Sequence, residues 1–368
     1  MSLPGGGLTG RFPDGPKVLT VLEEQAMLDD ANDLEALRIL GQLEPARAIP
    51  LLLDAVWKAG EARPEPKTLS RVDAYAIESA RRERGMKALL LLGRLGARAA
   101  SALPTLSGYR KLCSLEPYAD AAIDDIVRDL CRNRAPPLPA GPAAEARVAA
   151  LLRDVPPPRL PADTPAWMLA RWAEQLRAQG PEMTVRVALA AARRVLGLWE
   201  YQDPTNDGPR RAVMAMDAWL QSPTDALVDS AVYDGHVVPS QAATPPHAYS
   251  ACWSVTYATR CLPREEPRDS DAPPLHEDDG DPLGACVWAA CRALSRQSAL
   301  TGSFGSTEDS PDPLTPLQSA REIHQAILDE VLPWAHGTWD PVKDVARLRD
   351  ELAGRGWKVA SAPQGRGR

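Results

Sequence analysis

Two apolar stripes with helical spacing, joined by a short polar turn, constrain the fold more than any other stretch of the chain. Before the turn, apolar residues recur every three or four positions from Val185 to Trp199, and after it they recur from Ala212 to Leu220. That spacing is typical of one buried face of an α-helix. The turn is rich in Asp, Asn, Pro and Gly, as turns commonly are. The segment therefore predicts two packed helices.

The start of the second helix carries its own signals. Pro209 suits the first helical position, because the N–H that proline lacks would have no partner there. Asp207 or Gly208 precedes it and is the expected N-cap residue. Two charged residues, Arg210 and Arg211, lie off the apolar stripe. We therefore expect capping and packing to fix this end of the helix.

The same 3.6-residue period runs through most of the chain, and no stretch of useful length alternates with the period of two that a strand requires. The predicted fold class is therefore all-α. One helix is expected to begin with Thr164 as its N-cap and Pro165 in first position, with Met168 facing inward and Gly180 at its end. Further helices are predicted at residues 118–131, 248–261, 284–295, 317–332 and 341–353.

The N-terminal part contains an internal repeat. The stretch that begins at Leu34 aligns with the stretch that begins at Met86, and a proline follows each, at Pro50 and Pro104. The aligned residues are Ala36, Leu37, Leu40, Gly41 and Leu43 in the first copy and Ala88, Leu89, Leu92, Gly93 and Leu95 in the second. The pattern resembles the HEAT repeat, a helical hairpin with Leu-Gly near the end of its first helix and proline near the start of its second.

This resemblance implies a short HEAT-like α-solenoid over residues 17–134. The glycines would permit close approach at the hairpin, and the prolines would stand where a helix has an unpartnered N–H. The two copies lie farther apart than the roughly 40–47 residues typical of such repeats. Residues 61–70 are therefore expected to form a loop, and residues 71–84 to lengthen the helix that follows.

Proline and glycine divide the rest of the chain. Residues 1–16 are glycine-rich and predict a flexible leader, whereas residues 135–164 are proline-rich and predict a semi-rigid linker. We expect the domain boundary in this linker. A helical domain then covers residues 165–357, and residues 358–368 predict a disordered tail.

Residues 198–220 resemble a segment of the Imm-5-like family of bacterial immunity proteins. In that family a Leu-Trp-Glu or Leu-Phe-Glu phrase ends one helix, an Asp-rich turn follows, and an Arg-Pro-Arg-x-Ala phrase opens the next helix. This chain has Gly208 where the family usually has the first arginine, so no role of that arginine carries over. The matching residues, all expected to pack or cap, are Trp199, Glu200, Asp207, Pro209, Arg210, Arg211 and Trp219.

The charge of the chain bears on its partners. A formal net charge of −7 argues against nucleic acid as a partner, because phosphate binding needs a dense basic face. A protein partner with a basic surface fits better. The most acidic stretch, residues 263–282, has little apolar content and predicts a solvated loop.

The sequence offers few candidates for catalysis or metal binding. The six cysteines form no Cys-x-x-Cys pair, so a zinc site is not expected. The acidic residues 276–281 lack the oxygen spacing of a calcium loop. His336, between two tryptophans, has no visible catalytic partner, so a capping or packing role is expected. No catalytic, cofactor-binding or metal-binding residue is therefore predicted, and the protein is not expected to be an enzyme.

The Imm-5-like resemblance implies an immunity protein that neutralises a bacterial toxin by direct binding. Its expected location is the cytoplasm, because the N-terminus has neither the basic nor the apolar region of a signal peptide and no apolar stretch reaches the length of a membrane span. The alternative is a HEAT-repeat scaffold or adaptor protein unrelated to toxins. An enzyme of unknown class is the third hypothesis.

The helical period leads to a direct test of the fold class. Far-ultraviolet circular dichroism is expected to show a helical spectrum with a strand signal below about a tenth of the residues, since roughly a fifth is usual in mixed proteins. A larger strand signal would contradict the all-α class.

Overall fold

In the computed structural model, the described residues are 33–60, 71–109, 115–138, 141–143, 146, 160–237, 239, 244–264, 281–295 and 315–357. Helices are the only regular secondary structure in these segments, which confirms the predicted all-α class. The chain divides into two compact units, Met1–Ile126 and Val127–Arg368. This division precedes the proline-rich residues 135–164, in which the sequence predicts the boundary. The leader 1–16, the tail 358–368 and much of the acidic stretch 263–282 lie outside the described residues.

The first unit consists of packed helices joined by short connections. Its helices are α1 (Asp33–Leu43), α2 (Pro45–Gly60), α3 (Arg71–Leu95), α4 (Leu103–Tyr109) and the beginning of α5 (Glu116–Arg134), with a 3-10 turn at Gly96–Ala102. Helix α2 packs against both α1 and α3. Most leucines of the repeat, such as Leu40 and Leu92, are buried, whereas Leu43 is 57% exposed. Helix α3 includes residues 71–84, as predicted, whereas the predicted loop at 61–70 lies outside the described residues.

The repeat glycines lie at close contacts between helices. A Cβ atom on Gly41 would lie 3.2 Å from Leu95 Cδ2 in α3 and 3.8 Å from Ala48 Cβ in α2. One on Gly93 would lie 3.4 Å from the Cα atom of Ala122 in α5. These glycines therefore admit close packing between neighbouring helices of the first unit. A continuous solenoid stays a prediction.

The two repeat prolines differ in their positions. Pro104 is the second residue of α4, as expected. The expected position of Pro50 near a helix start is wrong, because α2 begins at Pro45 and Pro50 lies inside it. The carbonyl of Glu44 already accepts hydrogen bonds from the N–H groups of Arg47 at 3.0 Å and Ala48 at 3.2 Å. The first hydrogen-bonded turn of α2 therefore lies N-terminal to Pro50.

The second unit is a helical bundle built around one long helix. Its helices after α5 are α6 (Ala166–Leu176), α7 (Pro181–Gln202), α8 (Gly208–Gln221), α9 (Asp225–Gly235), α10 (Pro246–Thr259), α11 (Pro282–Ser295), α12 (Pro316–Ala335) and α13 (Pro341–Gly354). Helix α7 packs against α8, α10, α11 and α12. Every residue from Met183 to Ala192 is buried, which is typical of a helix surrounded by other helices.

The start of α6 differs from the prediction. Thr164 does not cap this helix, because its hydroxyl donates to the carbonyl of Pro161 at 2.7 Å. Pro165 is the N-cap residue instead. Met168, expected to face inward, is 43% exposed. The helix ends before Gly180, whose φ of +105° favours glycine over residues with a side chain. No helix in the described part of the chain is long and apolar enough to cross a membrane.

The packing around two glycines of the first unit predicts opposite effects on stability when each is replaced by alanine. In Gly85→Ala the new Cβ would collide with Ala59 Cβ, and relieving such overpacking costs about 1–3 kcal/mol. Gly108 in α4 has no atom within 4 Å of the corresponding position, so Gly108→Ala should stabilise by roughly 0.5–1 kcal/mol. Urea unfolding measures both changes. Equal effects of the two substitutions would contradict the described packing.

Candidate functional site

The two tryptophans of the Imm-5-like segment lie in the core of the second unit. Trp199 is 3% exposed and Trp219 is 7% exposed, and both belong to one buried cluster with Val195 and Met216. The indole N–H of Trp199 also donates to the carbonyl of Asn206 at 3.4 Å. This bond connects the end of α7 to the turn that follows it. Both side chains are therefore packing residues in this structure.

A buried ion pair joins α7 to α8 across this turn. Glu200 near the end of α7 is 3% exposed. Its carboxylate accepts two hydrogen bonds from the guanidinium of Arg210 in α8, one from Nε and one from Nη2, the latter at 2.6 Å. A bidentate pair of this kind fixes geometry as well as charge. Glu200 and Arg210 therefore hold the two helices in register around the turn.

Asp207 does not cap α8 with its side chain. The Oδ1 atom of Asn206 accepts the N–H of Gly208 at 3.2 Å, while the Asp207 carboxylate pairs with Arg211. Arg211 also pairs with Asp234 at 3.0 Å, which connects α8 to α9. Asp207 is nevertheless the N-cap residue, as one of the two expected positions, and its carbonyl accepts the N–H of Arg211 at 2.9 Å. Its carboxylate makes no capping bond because it is used in this ion pair.

The close approach of α9 explains the glycine at position 208. A Cβ atom there would lie 2.8 Å from the carbonyl oxygen of Asp234, closer than carbon and oxygen normally approach. An arginine could not replace Gly208 without a backbone shift. Pro209 follows as the second residue of α8 and is buried. The segment that carries the family resemblance is thus a set of packing, pairing and turn residues.

An exposed group of aromatic, apolar and cationic side chains lies on α6 and α11, and we call it the aromatic surface. Trp167 is 50% exposed and Trp288 is 39% exposed. The guanidinium carbon of Arg171 lies 5.7 Å from the centroid of the Trp167 ring, within cation–π range. The members of the surface are Trp167, Met168, Arg171, Trp288 and Arg292.

The two tryptophans belong to a pair of packed helices, α6 and α11. The helices approach each other closely at Gly284, where a Cβ atom would collide with the carboxylate of Glu174. This contact joins the end of α6 to the start of α11, so the two extensively packed helices run antiparallel. Trp288 lies one turn beyond Gly284, and Trp167 lies two turns before Glu174. Burial, followed by the charge of Asp281, raises the pKa of Glu174.

A second feature of this unit is a cleft of about 720 Å³ beside the turn between α12 and α13. It also involves the end of α5. Its lining is mostly polar and charged, and includes two tryptophans. The lining residues are Cys131, Arg134, Pro136, Trp334, Gly337, Thr338, Trp339, Asp340, Lys343, Asp344, Arg347, Leu348 and Glu351.

A buried arginine of α7 supports one wall of this cleft. Arg186 is 1% exposed, and it pairs with Glu182 at 2.9 Å and with Asp340 at 3.3 Å. Glu330 in α12 lies 3.9 Å away, and the guanidinium carbon lies 4.9 Å from the centroid of the Trp334 ring. Burial opposes ionisation of Asp340, but the charge of Arg186 and contacts with Lys343 hold its pKa below the usual value.

The remaining candidates for chemistry are buried. His336 is the C-cap residue of α12 and is 6% exposed. Its backbone N–H donates to the carbonyl of Leu332 at 3.0 Å. Burial raises the pKa of the Cys131 thiol to about 11 and those of Cys252 and Cys286 to about 12. Such thiols are poor nucleophiles at neutral pH. Within the described ranges, no group of His, Cys, Asp and Glu side chains could hold a metal ion.

Comparison with known proteins gives no relative for this chain. No protein family, curated protein or solved structure matches it. The HEAT-like and Imm-5-like resemblances therefore rest on the residues quoted for them.

Sequence reasoning did not identify the aromatic surface or the role of Arg186. A weak signal for Arg186 exists, because Glu182 precedes it by four residues and such pairs meet on a helix. Its other partners come from distant parts of the chain. The helical spacing of Met168 suggested burial, so nothing marked its neighbour Trp167 as exposed.

The buried pair of α7 and α8 predicts unequal effects for two alanine substitutions. Glu200→Ala would leave the buried guanidinium of Arg210 without its carboxylate, at a cost of about 3–5 kcal/mol. Asp207→Ala removes an ion pair whose arginine side chain is 51% exposed, and should cost about 0–1 kcal/mol. Urea unfolding of the two variants checks the difference. A larger loss for Asp207→Ala would contradict the assignment.

Proposed function

We propose that the protein is a cytoplasmic immunity protein that neutralises a bacterial toxin by direct protein–protein binding through the aromatic surface. The observation that supports this binding site is the exposure of Trp167, which contacts Arg171, and of Trp288 on the neighbouring helix. Tryptophan and arginine are enriched among the few residues that dominate the energy of protein interfaces. The toxin as partner comes from the Imm-5-like resemblance of residues 198–220.

The overall negative charge of the protein and the arginines of its aromatic surface favour different features of the partner. The net charge of −7 would attract a toxin with an overall basic surface and increase the rate of encounter. At short range, Arg171 would favour a carboxylate or carbonyl oxygen of the partner opposite it. Burial lowers the pKa of Arg292, so this cation is already partly removed from water. As proposed, the protein needs no cofactor, does not act on nucleic acid or membranes, and is not an enzyme.

A HEAT-repeat scaffold or adaptor unrelated to toxins is the second candidate. It is favoured by exposed apolar side chains in the first unit, where Tyr75 is 77% exposed and Ile77 is 50% exposed on α3. Trp57 of α2 is also 52% exposed. These side chains would bind a partner through the N-terminal helices instead of the aromatic surface.

Co-purification from the native host, followed by expression of each partner alone, tests the proposal. We expect a co-purifying partner that arrests cell growth when it is expressed alone. Co-expression of this protein should restore growth. Trp167→Ala and Trp288→Ala should each weaken binding by about 30-fold, which corresponds to the roughly 2 kcal/mol of an interface hot spot. Because the two side chains are 50% and 39% exposed, each substitution should lower the melting temperature less than replacement of the buried Trp219.

Tyr233→Ala is the matched control, since Tyr233 is 83% exposed on α9 in the same unit and should not affect binding. Unchanged binding in both tryptophan variants would overturn the proposed surface. Loss of binding in Tyr75→Ala alone, with a partner that is harmless when expressed, would favour the scaffold function.

A further inference from the structure

A cleft of about 480 Å³ is lined by the starts of α7 and α11 and by the residues that follow α10. Its volume falls in the range of roughly 300–1,000 Å³ that is typical of small-molecule pockets. Three arginines line it, Arg177, Arg260 and Arg264, and we call it the arginine cleft. Among the described lining residues, Asp281 alone carries a carboxylate. The cleft is thus cationic in a chain whose net charge is −7.

The carboxylate of Asp281 is already engaged on both oxygens. Its Oδ1 atom accepts the N–H of Leu283 at 2.8 Å in the first turn of α11. Its Oδ2 atom accepts from Nη1 of Arg177 at 2.6 Å. Arg177 and Asp281 therefore neutralise each other, whereas Arg260 and Arg264 give the described lining a net charge of +2.

The arginines of the cleft can donate to a ligand without giving up their present contacts. A guanidinium has five N–H donors, and the bond to Asp281 uses one of those on Arg177, whose side chain is 60% exposed. Arg264 is exposed as well. The guanidinium carbon of Arg260 lies 5.4 Å from the centroid of the Tyr257 ring, so this contact holds its charge beside the cleft.

The start of α7 adds to the positive potential of the cleft. Its N-cap residue is Gly180, and no side chain caps the helix. Glu182 is acidic and lies in the first turn, but its carboxylate pairs with Arg186 at 2.9 Å. The positive end of this 22-residue helix therefore faces a cleft lined by Gly180, Pro181 and Thr184. Helix N-termini favour anions, and phosphate groups in particular.

The charge and the apolar lining together indicate an organic phosphate. A phosphate group carries up to two negative charges and three strong acceptor oxygens, so it can bind more than one arginine at once. Inorganic phosphate would leave most of the cleft unfilled. Apolar side chains such as Leu262 and Leu283 also line the cleft, and they can contact a carbon-containing part of the ligand.

We propose that the arginine cleft binds a small organic phosphate, that is, a phosphomonoester. Arg177 and Arg264 donate to the phosphate oxygens, while Arg260 and the start of α7 supply further positive potential. The apolar lining contacts the organic part. This site is separate from the aromatic surface, and it does not depend on the immunity function proposed above.

Thermal unfolding of the full chain at constant ionic strength tests the ligand class with matched probes. The probes are glycerol 3-phosphate, glucose 6-phosphate, phenyl phosphate and adenosine monophosphate, each beside its counterpart without phosphate, together with inorganic phosphate and sulfate. At least one ester should raise the melting temperature more than inorganic phosphate does, and its counterpart should have no effect. The ester that acts identifies the organic group. No shift with any ester, or equal shifts with inorganic phosphate and sulfate, would overturn the proposal.

Calorimetric titration of the active ester tests the residues. Arg177→Gln and Arg264→Gln change exposed side chains, so both variants should fold. Each should weaken binding about tenfold, the effect of losing one charge-assisted hydrogen bond. Arg347→Gln is the matched control, because Arg347 is 69% exposed in the same unit and lies outside the arginine cleft. Unchanged affinity in both cleft variants, or an equal loss in the control, would refute the site.

Discussion

The second unit depends on a positive charge buried near the start of its central helix, at Arg186. Arg186 is surrounded by α7, α12 and the start of α13, and removing such a charge from water is costly unless carboxylates and hydrogen bonds compensate. Glu182 and Asp340 supply that compensation, and the ring of Trp334 covers the guanidinium. The charge is stable in this place only when α12 and the turn before α13 are in position. Helix packing and the shape of the cleft are therefore coupled through one side chain.

A second buried charge pair, Glu200 with Arg210, has the same effect at the other end of α7. It fixes the turn into α8, while the apolar cluster that contains Trp199 and Trp219 fills the space between the helices. Both ends of α7 are thus held by ionic contacts and its middle by apolar packing. The surfaces proposed for binding lie on helices that surround α7. Their exposed residues can therefore differ without loss of the buried core.

The fold class and most helix positions could be predicted, because the 3.6-residue period and the prolines at helix starts are local properties of the sequence. Helix starts were predicted less well where the choice depends on one residue's surroundings. Asn206, not the side chain of Asp207, accepts the first N–H of α8, and Pro165, not Thr164, precedes α6. Ion pairs such as Arg186 with Asp340 join residues far apart in the chain, and no local pattern indicates them.

Only part of the candidate site can be predicted from the sequence, because packing constrains residue types and surface exposure does not. Residues 198–220 have a recognisable pattern because packing, turns and buried pairs require particular residue types at particular spacings. An exposed tryptophan such as Trp167 follows the same helical spacing as its buried neighbours Leu169 and Trp172, so the sequence alone does not separate contact residues from core residues.

The segment 198–220 packs as scaffold, and we propose that partner binding takes place elsewhere on the second unit. The most direct test is the free energy of unfolding of Trp219→Ala, measured together with partner binding on the same variant. Trp219 is 7% exposed, so its loss should cost about 3–5 kcal/mol through lost burial and the cavity left behind. Any Trp219→Ala protein that remains folded should bind its partner normally. An unchanged stability with abolished binding would show that Trp219 is an interface residue and would contradict this account.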